Sequence, residues 1–195
     1  MELAVFDFDG TITRKDTFIE FIKFSKGRLS FFTGFVLLSP ILILYRLKII
    51  PNYRAKEIVL QYFFKGISKE KFIDLGKSFC SKKLPALIRE KALEKISFHH
   101  KNNHKLIIIS ASPCEWIKPW AEPLGFTVIG TELEVIDGKL TGKICGKNCF
   151  GPEKVKRLKD NIKVSDYSLI YGYGDSSGDK ELLAFVHQGF FKPFH

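Results

Sequence analysis

Asp7 and Asp9 stand either side of Phe8 in FDFDGTIT, directly after the apolar run Leu3-Ala4-Val5-Phe6. On an extended chain, residues two apart point to the same side, so this spacing predicts two neighbouring carboxylates at a strand end. Like charges at that distance repel, and partial burial adds to the cost. Two compensations are chemically useful: a bound cation, or a proton-transfer task shared between the carboxylates. A plainer reading, a turn at Asp9-Gly10 with Asp7 as a cap, is equally compatible with this stretch alone.

Four further signals bear on the choice. Ser110 closes the apolar run KLIIIS (105–110), where its hydroxyl and the backbone N–H groups after it could hold an anion. Lys154 lies in GPEKV, in the first turns of a helix that Gly151-Pro152 would start, a place suited to phosphate. Asp175 and Asp179 follow the run SLIYGY (168–173) in the glycine-rich loop GYGDSSGD. Taken together, these groups fit one reaction. A carboxylate attacks phosphorus and forms an aspartyl-phosphate, a second carboxylate handles the leaving-group and water protons, and a divalent cation offsets the crowded negative charge. Mg²⁺ suits a site of one or two carboxylates plus phosphate oxygen.

The elements that must position these groups follow from periodicity. Apolar runs at 3–8, 105–110 and 168–173 predict buried parallel strands, with shorter candidates at 126–130 and 189–192. Glu132 to Thr141 predicts a hairpin turning at Asp137-Gly138. Strands alternating with helices predict an α/β fold, a Rossmann-like and mainly parallel sheet. Ligands in such sheets bind beyond the carboxyl ends of the strands, where Asp7, Asp9, Ser110 and Asp175 all fall. Residues 14–103 contain no convincing strand and predict helices over 16–25, 29–45, 53–65, 69–82 and 86–101, with Ser68 as an N-cap. The expected organisation is a catalytic core of 1–13 and 104–195, with a helical cap of 14–103 inserted after the first strand.

The order DxDGT, strand-end serine, lysine, then GDxxxD resembles the haloacid dehalogenase superfamily of phosphatases, over the whole chain. That resemblance implies Asp7 as nucleophile and Asp9 as acid/base, with the Asp9 carbonyl also on Mg²⁺. It implies Asp175 as a direct metal ligand and Asp179 as a metal-supporting or lysine-orienting group. Thr11, Ser110, Ala111 and Lys154 form the implied phosphate-binding set. The cap position and the hairpin resemble the phosphoserine phosphatase-like branch. SASP replaces the glycines that usually follow the serine in phosphoserine phosphatases, Asp16 stands near their usual glutamate, and Gly178 replaces an asparagine. Within the branch, SASP, GPEKV and the apolar cap run look more like the bacterial phosphatidylglycerophosphatase C family of membrane-associated lipid phosphatases. Asp16 and Arg54 are the expected cap contacts to the leaving group.

Composition narrows the partners. Of 195 residues, Lys+Arg 31 against Asp+Glu 21 leaves a net charge of +10, which favours anionic ligands. No basic run interleaves with aromatics, so nucleic acid is not expected. Leu29 to Tyr45 carries no charge between Arg28 and Arg46. At about 20 residues for a spanning helix it is short, and Pro40 interrupts it. Two readings stand: a buried cap helix, or an interfacial anchor over 29–50 whose flanking Arg28, Arg46, Lys48, Arg54 and Lys56 meet an anionic membrane. No secretory signal is visible, so the expectation is a cytoplasmic chain, associated in the second reading with the inner face of the membrane, with Cys80, Cys114, Cys145 and Cys149 as reduced thiols. His99 and His100 are expected on a solvated helix face.

Overall fold

The computed structural model describes residues 1–195. Six strands form one sheet: β1 (Glu2–Phe6), β2 (Lys105–Pro113), β3 (Phe126–Ile136), β4 (Lys139–Cys145), β5 (Leu169–Gly174) and β6 (Gln188–Phe191). Their spatial order is β4-β3-β2-β1-β5-β6, and only β3 and β4 pair antiparallel. Five helices lie between β1 and β2 in the chain: α1 (Thr17–Leu37), α2 (Ser39–Arg46), α3 (Asn52–Phe64), α4 (Lys69–Lys82) and α5 (Glu90–Lys101). Three more follow: α6 (Lys118–Ala121), α7 (Pro152–Asn161) and α8 (Lys180–Phe185).

Alternation along the strands divides the interior into two layers. Ala4 and Phe6 of β1, with Leu106 and Ile108 of β2, join a cluster of 30 buried residues that runs on into the helical insert. Leu3, Val5, Ile107 and Ile109 point the other way, into a 12-residue cluster that also holds Leu158 of α7 and Leu182 of α8. The larger cluster is aromatic. Phe21 of α1 stacks on Trp116, which follows β2, with ring centroids 4.4 Å apart, and meets the edges of Phe72 and Phe79 of α4. The insert therefore shares one core with the sheet. Backbone pairing adds a second tie: Gly66 N–H donates to Leu140 O (2.8 Å) and Lys69 N–H to Gly138 O (2.9 Å), clamping the α3–α4 link to the hairpin.

Several elements differ from the sequence reading, each for a local reason. The runs at 126–130 and 132–136 form one long strand, β3, because nothing at Thr131 breaks the ladder. β1 stops at Phe6, since Asp7 begins a tight turn. Residues 84–87 form a separate 3₁₀ turn, so α5 starts at Glu90 and not at Ala86. The expected helices at 16–25 and 29–45 are redistributed. α1 continues through a kink at Gly27, whose φ of 79° and ψ of 162° favour glycine, and ends at Leu37. α2 then departs at 63° with Pro40 in its first turn.

That bend gives the apolar run two faces. Phe31, Gly34 and Leu38 are buried, with the Phe35 ring against Phe63 of α3, while Leu29, Phe32, Val36 and Ile43 are exposed, Leu29 to 80%. No single helix is long and apolar enough to cross a membrane; α1 and α2 pass only jointly, across the bend. His99 also departs from expectation. Its neighbour His100 is exposed, but His99 is fully buried, with Nδ1 2.8 Å from His104 Nδ1 and Nε2 2.7 Å from the Tyr173 hydroxyl. All four cysteines are free thiols.

Candidate active site

Parallel register assembles the site. Phe6 lies opposite Ile108 of β2 and Tyr173 of β5, so Asp7, Ser110 and Asp175 emerge within two residues of one sheet edge. β1 is also where the connections part to either side, the place where open α/β sheets bind ligands. The turn after Asp7 is tight: Gly10 has φ 80°, and a Cβ there would lie 2.3 Å from Asp175 Oδ2. Only glycine lets the turn approach Asp175 so closely.

Asp7 and Asp179 are bridged by a buried ammonium. Lys154 Nζ donates to Asp7 Oδ1 and Asp179 Oδ1, both at 2.5 Å, and all three side chains are almost fully enclosed. The Thr11 hydroxyl lies 3.3 Å from Asp7 Oδ2 and 3.1 Å from Asp175 Oδ1. Asp179 Oδ2 accepts from the Asp175 and Ser176 N–H groups and the Ser176 hydroxyl, at 3.2, 3.0 and 2.8 Å. One oxygen from each of Asp7, Asp175 and Asp179 falls within 4.8 Å of the others.

Three carboxylates face one lysine, and the charge balance shows in their titration. Burial, together with Asp179 and Asp9, raises Asp7 to about 7 against the pull of Lys154. Burial raises Asp175 as well. Burial would also raise Asp179, but Lys154 and the donors from Ser176 outweigh it and hold it low. Burial opposes the charge on Lys154, and its two carboxylate partners more than restore it. A divalent cation in this cluster would relieve the excess negative charge, and hard carboxylate oxygens are the donors Mg²⁺ takes.

Asp9 has a different environment, which corrects the expectation that both carboxylates share one side of a strand. Its Oδ1 accepts from the Thr17 N–H and hydroxyl at 2.6 and 2.5 Å, and its Oδ2 from the Ser112 hydroxyl at 2.6 Å, with Ser110 Oγ at 3.4 Å. Behind Thr17, Trp116 Nε1–H donates to the threonine oxygen at 2.9 Å.

The haloacid dehalogenase-like hydrolase family matches residues 4–184. The chain belongs to this family. Protein CicA of Caulobacter vibrioides is 35% identical over 197 residues, covering 98% of the chain and 86% of its own length. Two solved structures show the same fold. A Bordetella pertussis Tohama I protein of unknown function superposes with TM-score 0.81 at 22% identity, covering 95% of this chain and 86% of its own. A phosphoserine phosphohydrolase-like protein from Francisella tularensis gives 0.67 at 18% identity, covering 98% and 86%.

A cleft of about 510 Å³ opens above the aspartates of this hydrolase. Asp7, Asp9, Ala111, Ser112, Lys154 and Asp175 line its floor, and Phe18, Ile19, Phe35, Leu42, Tyr45 and Val59 of the insert line its upper wall. Of the residues expected from sequence, Asp16 reaches the cleft while capping α1 through the Ile19 N–H. Arg54 does not line it; the guanidinium, more than half exposed, pairs with Glu57 one turn along α3. Lys56, on the neighbouring face, enters instead and donates to the Ala111 carbonyl at 2.9 Å. Thr11 faces the carboxylates of Asp7 and Asp175, not open space. Ser112, Thr17 and Trp116 carried no sequence signal beyond the period-two step from Ser110 to Ser112.

Proposed function

We propose that this hydrolase is a phosphomonoesterase working through an aspartyl-phosphate on Asp7. The observation that carries the reading is the separation of two carboxylates into two environments: Asp7 beside Lys154 and the acidic cluster, Asp9 among hydroxyl and N–H donors. An Asp7 oxygen attacks phosphorus as the bond to the leaving oxygen breaks, and Asp9 gives that oxygen its proton. Asp9 then takes a proton from the water that cleaves the aspartyl-phosphate, releasing phosphate and restoring Asp7. Ser110, Lys154 and the backbone at Ala111 hold the phosphoryl oxygens as charge develops, while Thr11 keeps its place between the carboxylates of Asp7 and Asp175. Asp7, Asp175 and the Asp9 carbonyl, with Asp179 in support, would hold Mg²⁺, which supplies positive charge to the phosphoryl group when bound.

Residues 14–103 serve in this proposal as the cap, and its inner wall selects the leaving group. A lipid phosphate such as phosphatidylglycerophosphate fits that wall best, because Phe35, Leu42 and Tyr45 lead from the aspartates toward the exposed apolar bend of α1 and α2. Arg28, Arg46 and Lys48 flank the bend, and each basic residue near an anionic membrane contributes about 1 kcal/mol. The chain then works at the inner face of the membrane without spanning it. The second reading, a phosphatase of serine phosphate or another small metabolite, is favoured by the fold shared with the Francisella protein. A catalytically silent binding protein of the same fold is disfavoured by the intact set Asp7, Asp9, Lys154 and Asp175.

Hydrolysis of p-nitrophenyl phosphate should require Mg²⁺, stop reversibly with EDTA and vanish in Asp7→Asn. Activity surviving that substitution removes the aspartyl-phosphate. A panel of serine, sugar, nucleotide and lipid phosphates, run beside flotation with anionic liposomes, decides the substrate. No flotation together with brisk serine phosphate turnover would reverse the order of the two readings.

A further inference from the structure

The Asp9 carboxylate is held by groups that come together only in three dimensions. Thr17 is the first residue of α1, and its N–H is one of the helix-end donors with no partner inside the helix. That N–H and the Thr17 hydroxyl both point at Asp9 Oδ1. Thr17 and Trp116 are fully buried and lie outside the cleft lining, so Oδ1 is anchored in the interior. The Trp116 ring cannot swing away, because it is stacked on Phe21 while its N–H holds the Thr17 oxygen. Oδ2 has the Ser112 hydroxyl at 2.6 Å, and Asp9 and Ser112 both line the cleft. Ser112 is itself confined: its N–H donates to Ser110 Oγ at 3.0 Å, and the following Pro113 keeps it extended.

We infer that Ser112 and Thr17, with Trp116 behind Thr17, are positioning residues that aim Asp9 at the leaving oxygen. The inference rests on the phosphomonoesterase reading. A serine hydroxyl both donates and accepts, so Ser112 keeps a partner for Oδ2 whichever of the two carries the proton. The consequence is selective. As the P–O bond breaks, an alkoxide leaving group must receive the Asp9 proton, whereas p-nitrophenolate is a weak base that departs without it. Misaiming Asp9 therefore slows phosphoryl transfer from alkyl phosphates, read by kcat/KM, and largely spares that step for p-nitrophenyl phosphate, while the water step common to both esters slows equally.

The test compares kcat and KM for p-nitrophenyl phosphate and glycerol phosphate in the wild type, Ser112→Ala, Ser112→Thr, Trp116→Phe and Asp9→Asn, with a thermal melt of each. Displacements of about 1 Å cost on the order of a hundredfold in oriented catalysis, so kcat/KM for glycerol phosphate should fall roughly ten- to a hundredfold in Ser112→Ala. The fall should exceed that for p-nitrophenyl phosphate by at least about tenfold, approach the pattern of Asp9→Asn, and be largely rescued in Ser112→Thr. Trp116→Phe should shift the two esters in the same direction and by less. Equal losses in kcat/KM on both esters in folded Ser112→Ala overturn the inference and leave the phosphatase standing. A rise in KM with kcat unchanged overturns it as well, because Ser112 would then be a substrate contact. A wild-type chain that hydrolyses neither ester overturns the phosphatase reading and the inference with it.

Discussion

At the floor of the cleft and just beneath it, Asp7, Asp9 and Asp179 each accept from two or more donors, and the groups that hold them are almost all buried. At the α1–α2 bend, by contrast, Leu29, Phe32, Val36, Leu37 and Ile43 face solvent, and α2 buries no residue completely. The floor spends folding stability on crowding like charges, while the bend leaves apolar surface in water that folding alone would cover. The contrast separates two jobs. Geometry at the floor is fixed and tolerates little change; the exposed face of the bend contributes little to folding and is free to meet something else.

The largest effect expected on the floor side is Lys154→Met. Removing the ammonium that pairs with both Asp7 and Asp179 leaves buried carboxylates uncompensated, which costs about 3–5 kcal/mol. Urea denaturation in EDTA should register that loss, and p-nitrophenyl phosphate hydrolysis should fall by roughly a hundredfold or more. A stable, active Lys154→Met chain would break the comparison.

Phe21→Ala is next. The ring sits between Trp116, Phe72 and Phe79, so truncation should cost about 3–5 kcal/mol, at the upper end if α4 cannot close the gap. Because that cluster also carries Trp116, activity should fall beyond what the unfolded fraction explains, checked by kinetics below the melting midpoint.

At the bend the same kind of change should do little to the fold. Phe32→Ser, Val36→Ser and Ile43→Ser together should shift stability by less than about 0.5 kcal/mol per site. Kinetics on p-nitrophenyl phosphate should stay at wild-type level, while flotation with anionic liposomes is lost. Retained flotation would place the contact elsewhere.

A last effect depends on acid and falls on the buried His99 of α5. Burial, with His104 and Lys95 nearby, lowers His99 from 6.5 to about 4. Between those values the unfolded chain binds the proton and the folded chain does not, so this contribution is complete above about pH 6.5 and is lost as pH falls toward 4. Urea midpoints at pH 7.5 and 4.5 should differ more in the wild type than in His99→Gln.

Much of this was legible along the chain. Period-two runs and turn glycines act locally, so the strands carrying Asp7, Ser110 and Asp175, the hairpin at Asp137-Gly138 and the helix opening at Pro152 were all visible. Arg54 and His99 were misplaced for one reason: a residue's own position on a helix does not say which neighbour will cover that face. Arg54 and Lys56 sit two apart on α3, and packing turned only the lysine inward.

By itself, then, the order of residues determined the α/β alternation, the insert after the first strand and the carboxylates at strand ends, because these rest on spacing and on turn chemistry within a few residues. Tertiary structure alone decided the rest. Ser112 and Trp116 reach Asp9 and Thr17 across about a hundred residues of chain, 103 in sequence for Ser112 and Asp9. The apolar run of 29–45 became half core and half surface only when α3 covered one side of it. Such contacts depend on which faces meet, and no local period encodes that.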